Sequence, residues 1–154
     1  MQHITLLCIG HLKKSWAAAG CELYLRRLQP TVKFEVRELS PGKEKDSAKQ
    51  RSEESEKIAT ALEKIKGDVW LLDEKGERMT SQEFSFFLGQ AKDAGTPLVF
   101  VLGGAYGLES SLKKRARGTM RLSDMTLPHE LCRVVFLEQL YRAIEIGRGS
   151  GYHH

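Results

Sequence analysis

Cysteine is scarce in this sequence and shows no paired spacing. The three cysteines, Cys8, Cys21 and Cys132, are odd in number and form no Cys-x-x-Cys motif. Each lies in an apolar pattern, so we expect small reduced core residues rather than a disulfide framework or a zinc site. This cysteine usage is typical of a cytoplasmic protein.

Long apolar segments are missing as well. The sequence contains no window of about 18 apolar residues, which is the length that a membrane-spanning helix needs. The apolar run 4–9 near the start is too short, and wrongly flanked, for a signal peptide. We therefore expect a soluble protein with no targeting segment.

Clustered metal ligands are a third absence. The five histidines have neither a helical i,i+4 spacing nor a cysteine partner at the spacing of a metal site. We predict that the protein holds no metal.

The charge is only mildly basic. A net charge of +4, from 24 basic and 20 acidic residues, favours a polyanionic partner without requiring one. The basic residues cluster, which is compatible with a phosphate-binding surface and equally with solvated helix faces. These clusters are Lys13-Lys14, Arg26-Arg27 and Lys113-Lys114-Arg115-x-Arg117.

The length and the apolar periodicity predict one α/β domain over residues 1–154. Strands and helices alternate, with no internal repeat and no linker. This order predicts a five-stranded, mostly parallel sheet with helices on both faces. The predicted strands are 4–9, 32–39, 69–72, 98–102 and 119–122, of which 32–39 has one polar face and belongs at a sheet edge. The predicted helices are 16–28, a helix around 58–65, one opening at a Thr80/Glu83 capping box, 110–117 and 129–147.

Two connecting segments carry separate predictions. Residues 43–57 are almost wholly charged or small, so we expect a mobile loop and a frayed helix start. The strand 69–72 runs into Asp73-Glu74-Lys75-Gly76, a turn sequence, and is predicted to end there.

Three glycines directly follow the buried strand 98–102, at Gly103, Gly104 and Gly107. In open α/β sheets, ligands bind beyond the carboxyl ends of strands, and glycine lets backbone groups approach a ligand closely. A tight turn that needs positive φ explains an isolated glycine cluster equally well. The loops after 69–72 and 119–122 point to the same end of the sheet, so three loops are predicted to converge there.

The last predicted helix, 129–147, carries apolar residues on nearly every face, so we expect it to be buried all round. Glu138 and Arg142 lie one turn apart in the orientation of an i,i+4 ion pair, on the same side as Leu131 and Val134. A charge pair on such a helix suggests a subunit interface or an active-site wall. An exposed pair at one helix edge is the alternative.

With these loops in place, the chain resembles the SPOUT methyltransferases. The matching segments follow one another along the whole sequence: Tyr24-Leu25-Arg26-Arg27, Leu102-Gly103-Gly104-x-x-Gly107-Leu108, Leu122-Ser123-x-Met125-Thr126-Leu127-Pro128-His129, Arg133-Val134, Glu138-Gln139-x-Tyr141-Arg142-Ala143 and Tyr152-His153. The resemblance implies a C-terminal trefoil knot, S-adenosylmethionine bound bent in that knot, and a homodimer that completes the site. It also implies methylation of N3 of a pseudouridine in 23S ribosomal RNA, on the assembled ribosome.

The resemblance further implies which residues bind the cofactor. These are Leu72, Gly103, Gly104, Leu122, Ser123, Asp124, Met125, Thr126 and Leu127. Loops of this composition offer an apolar slot for adenine and backbone hydrogen bonds. Alternatively, Leu122, Met125 and Leu127 are ordinary apolar residues that pack beneath a short loop. The sequence departs from the family pattern at Ala105-Tyr106 in the glycine loop and at the terminal His154.

Four residues are candidates for catalysis: His129, Arg142, Tyr152 and His153. His129 is placed either to accept the N3 proton or simply to cap a helix, and Arg142 either to orient RNA or to pair with Glu138. Tyr152 is suited to stack on a flipped base and His153 to bond that base or its phosphate. A frayed terminus is the alternative for the last two.

Three other functions stay open at this point. A nucleotide-binding Rossmann-type protein is disfavoured because the glycine spacing is not Gly-x-Gly-x-x-Gly. A non-catalytic RNA-binding module and a SPOUT enzyme that acts on transfer RNA are the others.

Overall fold

The apolar runs and the helical stripes alternate along the chain as the sequence predicts. The computed structural model describes residues 1–154. Its strands are His3–Ile9 (β1), Lys33–Leu39 (β2), Asp68–Arg78 (β3), Leu98–Leu102 (β4) and Gly118–Arg121 (β5). Its helices are Ser15–Leu28 (α1), Ser47–Leu62 (α2), Ser81–Asp93 (α3) and His129–Arg148 (α4), with a 3-10 helix at Ser110–Lys114.

The five strands form one sheet in the order β2-β1-β4-β3-β5. Every neighbouring pair is parallel, which confirms the predicted α/β class. All five residues of the central strand β4 are buried, as expected of a strand covered on both faces. β2 lies at an edge, and its residues alternate between exposed and half-buried along most of the strand. Because all strands run the same way, their carboxyl ends meet at one edge of the sheet.

The helices cover the sheet in two layers. α1, α3 and α4 pack on one face through a core that includes Leu28, Phe84 and Phe136. α2 and the 3-10 helix cover the other face through Ile58 and Leu112. The structure contains no helix long and apolar enough to cross a bilayer.

The prediction of a mobile loop at 43–57 is wrong, because α2 occupies most of this segment. The Asp46 carboxylate caps the helix by accepting a hydrogen bond from the Lys49 amide at 3.0 Å. The buried face of this helix begins with polar residues, Glu54 and Ser55, before Ile58. Because the first buried residues of α2 are polar, its apolar pattern begins only at Ile58, and the first half of the helix is not predicted from that pattern.

The strand β3 does not end at Leu72 as the turn sequence suggests. It bulges and continues to Arg78, so that Leu72 and Glu77 both pair with Met120 of β5. Gly76 is required at the bulge because a Cβ atom there would lie 2.6 Å from the Met120 backbone. The close approach of β3 and β5 depends on the folded structure, so the turn residues at 73–76 do not predict it.

The helix ends follow local chemistry. The predicted capping box is confirmed, since the Glu83 amide donates to Thr80 Oγ1 at 3.0 Å and the Thr80 amide donates to Glu83 Oε1 at 3.1 Å. The predicted helix 110–117 is a shorter 3-10 turn.

The helix α4 is buried on one side only. The core side carries Phe136, Leu137, Leu140 and Ala143, while α1 and α3 contact its two flanks. The opposite side stays half-buried, along the stripe Leu131, Val135, Glu138 and Arg142. All-round burial is therefore wrong for a single chain, because one sheet and two flanking helices leave the outer stripe of α4 uncovered.

Candidate functional site

A cavity of about 1140 Å³ opens beyond the carboxyl ends of β3, β4 and β5. Its walls are the bulge of β3, the glycine loop after β4 and the loop after β5. The predicted convergence of three loops on one sheet end is therefore confirmed.

The predicted cofactor residues come together around this cavity. Its lining includes Leu72, Gly103, Gly104, Leu122, Ser123, Met125, Thr126 and Leu127. Asp124 is outside the lining, and its carboxylate instead pairs with Arg78 and with Arg121, the latter at 3.3 Å. In this structure Asp124 fastens the loop after β5 to β3 rather than facing the cavity.

Packing within the chain explains why the loop after β4 needs glycine. A Cβ atom on Gly103 would lie 2.8 Å from Leu108 Cδ2, and one on Gly104 would lie 2.7 Å from Glu54 Oε1. Only Gly107 has a positive φ, +77°, and it closes a tight turn by donating its amide hydrogen to the Gly104 carbonyl at 3.1 Å. The turn interpretation thus holds for Gly107, while the other two glycines make room for neighbouring residues.

Glu54, which is not predicted from the sequence, packs behind this loop. Its side chain is only 1% exposed, and Oε2 accepts hydrogen bonds from the Gly42 amide at 2.9 Å and Gln50 Nε2 at 3.3 Å. Its Oε1 atom faces Gly104 and has no donor. The next residue, Ser55, accepts a hydrogen bond from the Glu109 amide at 3.1 Å. One feature of the sequence does point to this residue. Glu54 lies four residues before Ile58, so it falls on the same buried face of the helix, one turn earlier.

The loop after β5 presents Met125 to solvent. This side chain is 78% exposed, and the loop turns where the Met125 amide donates to Ser123 Oγ at 2.9 Å. Met125 is therefore not packed beneath the loop in this chain. Leu122 and Leu127 are half-buried.

Cys132 lines the same cavity, and its surroundings do not activate the thiol. Its thiol donates to the Leu127 carbonyl at 3.5 Å, and burial raises the pKa of this thiol. The protonated thiol is therefore the dominant form at neutral pH, and it fixes the loop instead of attacking a substrate.

The four candidate catalytic residues separate into two places. His129 is exposed at the start of α4 and lines the cavity. Arg142 lies 13 residues further along the same helix, which corresponds to about 20 Å at a rise of about 1.5 Å per residue. One chain therefore does not bring Arg142, Tyr152 and His153 to the cavity.

Those three residues form a polar cluster with Glu138 on the outer side of α4. Arg142 Nη2 bonds Glu138 Oε1 at 2.7 Å, and Arg142 Nη1 lies 3.1 Å from His153 Nδ1. The Arg142 guanidinium covers the Tyr152 ring at 4.8 Å, and the Tyr152 hydroxyl donates to Glu138 Oε1 at 3.1 Å. The C-terminal tail thus folds back on its own helix instead of fraying.

The electrostatics of this cluster fix two protonation states. The hydrogen bond to Glu138 raises the pKa of Arg142, so the guanidinium stays charged. Burial, followed by the nearby Glu138 carboxylate, raises the pKa of Tyr152. Both effects favour the neutral phenol.

No group of three or more His, Cys, Asp or Glu side chains is arranged to hold a metal ion.

Comparison with known proteins agrees with this architecture. Residues 2–153 match a family model described as predicted SPOUT methyltransferase, and the chain belongs to that family. Within it, the chain is similar to ribosomal RNA large subunit methyltransferase H from several bacteria. The protein of that name from Geobacter sp. strain M21 is 40% identical over 98% of both chains. Those from Oleidesulfovibrio alaskensis and Burkholderia ambifaria strain AMMD are 40% and 38% identical, over 100% and 96% of both chains. The resemblance stated from the sequence is confirmed.

Proposed function

We propose that this protein uses S-adenosylmethionine to methylate N3 of a pseudouridine in 23S ribosomal RNA, in the cytoplasm. The observation that carries the proposal is the cavity beyond β3, β4 and β5, where eight of the nine predicted cofactor residues meet. The relatives named as ribosomal RNA large subunit methyltransferase H support ribosomal RNA as the substrate class.

The residues around the cavity fit this cofactor. Leu72, Leu122 and Leu127 supply apolar walls for adenine, and the glycine loop brings backbone groups to the cavity without intervening side chains. Ser123 and Thr126 add hydroxyls that can serve the ribose or the amino-acid part. When bound, the cofactor supplies an electrophilic methyl group on a sulfonium.

The protein also has to position the base and accept the proton that leaves N3. The cofactor held by the residues around the cavity would supply the methyl group, and the base has to lose its N3 proton when it accepts that group. His129 lines the cavity and is the proposed acceptor within this chain. For Tyr152 we propose stacking on the base and hydrogen bonding, which a neutral phenol can provide.

A homodimer is part of the proposal. The outer stripe of α4 is half-buried in one chain, and about 20 Å of helix separates Arg142 from His129 at about 1.5 Å per residue. A second copy packed on this stripe would bring its own Arg142, Tyr152 and His153 toward the cavity. The bent cofactor and the trefoil knot are proposed with it, on the family resemblance.

The tail provides a first prediction. Deleting residues 151–154 removes the contacts of Tyr152 and His153 with Arg142 and Glu138. We expect methylation of ribosomes to fall at least about tenfold, equivalent to about 1.4 kcal/mol, with dimer mass and cofactor affinity nearly unchanged. His154→Ala is the matched control, because His154 is exposed and makes no hydrogen bond. Full-rate methylation by the truncated enzyme would remove both residues from the site.

The substrate form provides a second prediction. The chain is only mildly basic, with a net charge of +4, and folded RNA is recognised largely by shape and by looped-out bases. We expect methylation of assembled ribosomes and little methylation of free 23S transcript. Equal rates on the two substrates, measured with the same enzyme preparation, would contradict this expectation.

Calorimetry separates the proposal from its alternatives. Binding of S-adenosylmethionine, or of its demethylated product, supports a methyltransferase. Binding of a nucleotide alone would indicate the Rossmann-type alternative, and binding of neither would indicate a non-catalytic RNA-binding module.

A further inference from the structure

The cavity, of about 1140 Å³, extends beyond the residues predicted to bind the cofactor. The predicted cofactor residues account for the walls formed by β3 and the loop after β5. A further part of the lining comes from α2, the tip of the glycine loop and the 3-10 helix, through Arg51, Tyr106 and Lys113.

Tyr106 stands at the tip of the glycine loop and is unusually exposed. Its side chain is 47% exposed, although the loop that carries it is held by the Gly104–Gly107 turn and by Glu54 behind Gly104. Its ring stacks on no other aromatic ring, and its hydroxyl makes no hydrogen bond in the chain. A firmly supported loop therefore presents a free aromatic face at the cavity.

The lining of the same cavity carries two cations that have no ion-pair partner. Arg51 and Lys113 line the same cavity, and neither forms an ion pair. Nearby basic residues behave differently, since Arg115 pairs with Glu63 at 3.4 Å and Arg121 with Asp124 at 3.3 Å. Asp73, Glu74 and Glu109 also line the cavity, but none of them forms an ion pair with Arg51 or Lys113. The lining thus combines a free aromatic ring with two unpaired cations.

This combination is the one that proteins use to hold single-stranded nucleic acid. Bases stack on aromatic side chains while Lys and Arg contact the phosphates. We propose that Arg51, Tyr106 and Lys113 form an RNA-binding lip that holds an unpaired nucleotide of the substrate, with its base on Tyr106 and its phosphates on the two cations. The identity of the RNA rests on the proposed function. The lip is separate from the polar cluster of Glu138, Arg142, Tyr152 and His153.

The test measures RNA binding apart from chemistry. Affinity for a short fluorescent single-stranded RNA is measured by anisotropy, and methylation of ribosomes by initial rates. Tyr106→Ala should weaken RNA binding about tenfold and raise KM for ribosomes by a similar factor, whereas Tyr106→Phe keeps the ring and should bind as the wild type does. The double variant R51A/K113A should lower the slope of log affinity against log salt by about 1.4, at about 0.7 per phosphate contact.

The controls are an exposed aromatic and an exposed lysine on α3, away from the cavity. Phe86→Ala and Lys92→Ala should leave RNA binding and the salt slope unchanged. Cofactor affinity by calorimetry should be unaltered in Tyr106→Ala, which shows that the loop is intact. Equal RNA affinities of Tyr106→Ala and Phe86→Ala would overturn the lip. RNA binding that depends on Tyr106 in a wild-type protein without methyl transfer would support the lip and contradict the proposed function.

Discussion

Replacing Gly103 by valine should weaken binding of S-adenosylmethionine at least about thirtyfold, equivalent to about 2 kcal/mol, while the core stays folded. A Cβ atom at this position would lie 2.8 Å from Leu108 Cδ2 and 3.1 Å from the Gly107 carbonyl carbon. Leu108 can rotate, but the Gly107 backbone cannot withdraw without opening the turn. The substitution therefore changes the conformation of the glycine loop, which we propose binds the cofactor. It leaves the sheet beneath the loop intact.

The measurement is calorimetric titration of the variant, with thermal unfolding followed by circular dichroism. Gly89→Ala is the matched control, because a Cβ atom on Gly89 of α3 would meet nothing within 4 Å. That control should keep full affinity and gain about 0.5–1 kcal/mol of stability. If the valine variant fails to fold, Gly103→Ala makes the same test with a smaller group. Wild-type affinity in either folded variant would refute the role given to this loop.

Replacing Val135 by arginine should convert the proposed dimer to a monomer. Val135 lies on the outer stripe of α4, half-buried in one chain and beside the Glu138–Arg142 pair in the next turn. Burying the added guanidinium in an interface costs about 3 kcal/mol or more in lost hydration, which corresponds to at least about a hundredfold weaker association. Methylation should fall with the dimer, because Arg142, Tyr152 and His153 lie far from the cavity of their own chain.

Sedimentation or light scattering at micromolar concentration measures the mass. Phe86→Arg is the control, since it also replaces a large apolar residue, 69% exposed on α3, with a charge. We expect this control to stay dimeric and active. A monomeric wild-type protein, or a dimeric Val135→Arg variant, would show that the outer stripe of α4 is not an interface.

Much of the fold is predictable from the sequence because its signals are local. The apolar run of β4, the alternation in β2 and the capping box at Thr80 each depend on neighbouring residues, and the structure confirms all three. The first half of α2 and the extension of β3 depend on distant partners. Glu54 is buried against the loops around Gly42 and Gly104, and Gly76 is needed only because β5 passes within van der Waals distance of it.

The candidate site divides in the same way. Because parallel strands end at one edge, the sequence predicts that the loops after β3, β4 and β5 meet, and they do. The direction of individual side chains is not predictable from such spacing. Asp124 turns to Arg78 and Arg121 outside the cavity, and Tyr152 is engaged by Glu138 on the same chain. The reasons glycine is needed at positions 103 and 104 likewise depend on Leu108 and Glu54, which only the folded chain places there.

The central claim is tested most directly by mass spectrometric mapping of methylated nucleotides in ribosomal and transfer RNA from a deletion strain. We expect one methylated pseudouridine of 23S RNA to lose its N3 methyl group in that strain. It should regain the group when the wild-type gene is restored, but not when the Gly103→Val gene is. Unchanged ribosomal RNA, with or without a methyl group lost from transfer RNA, would contradict the account.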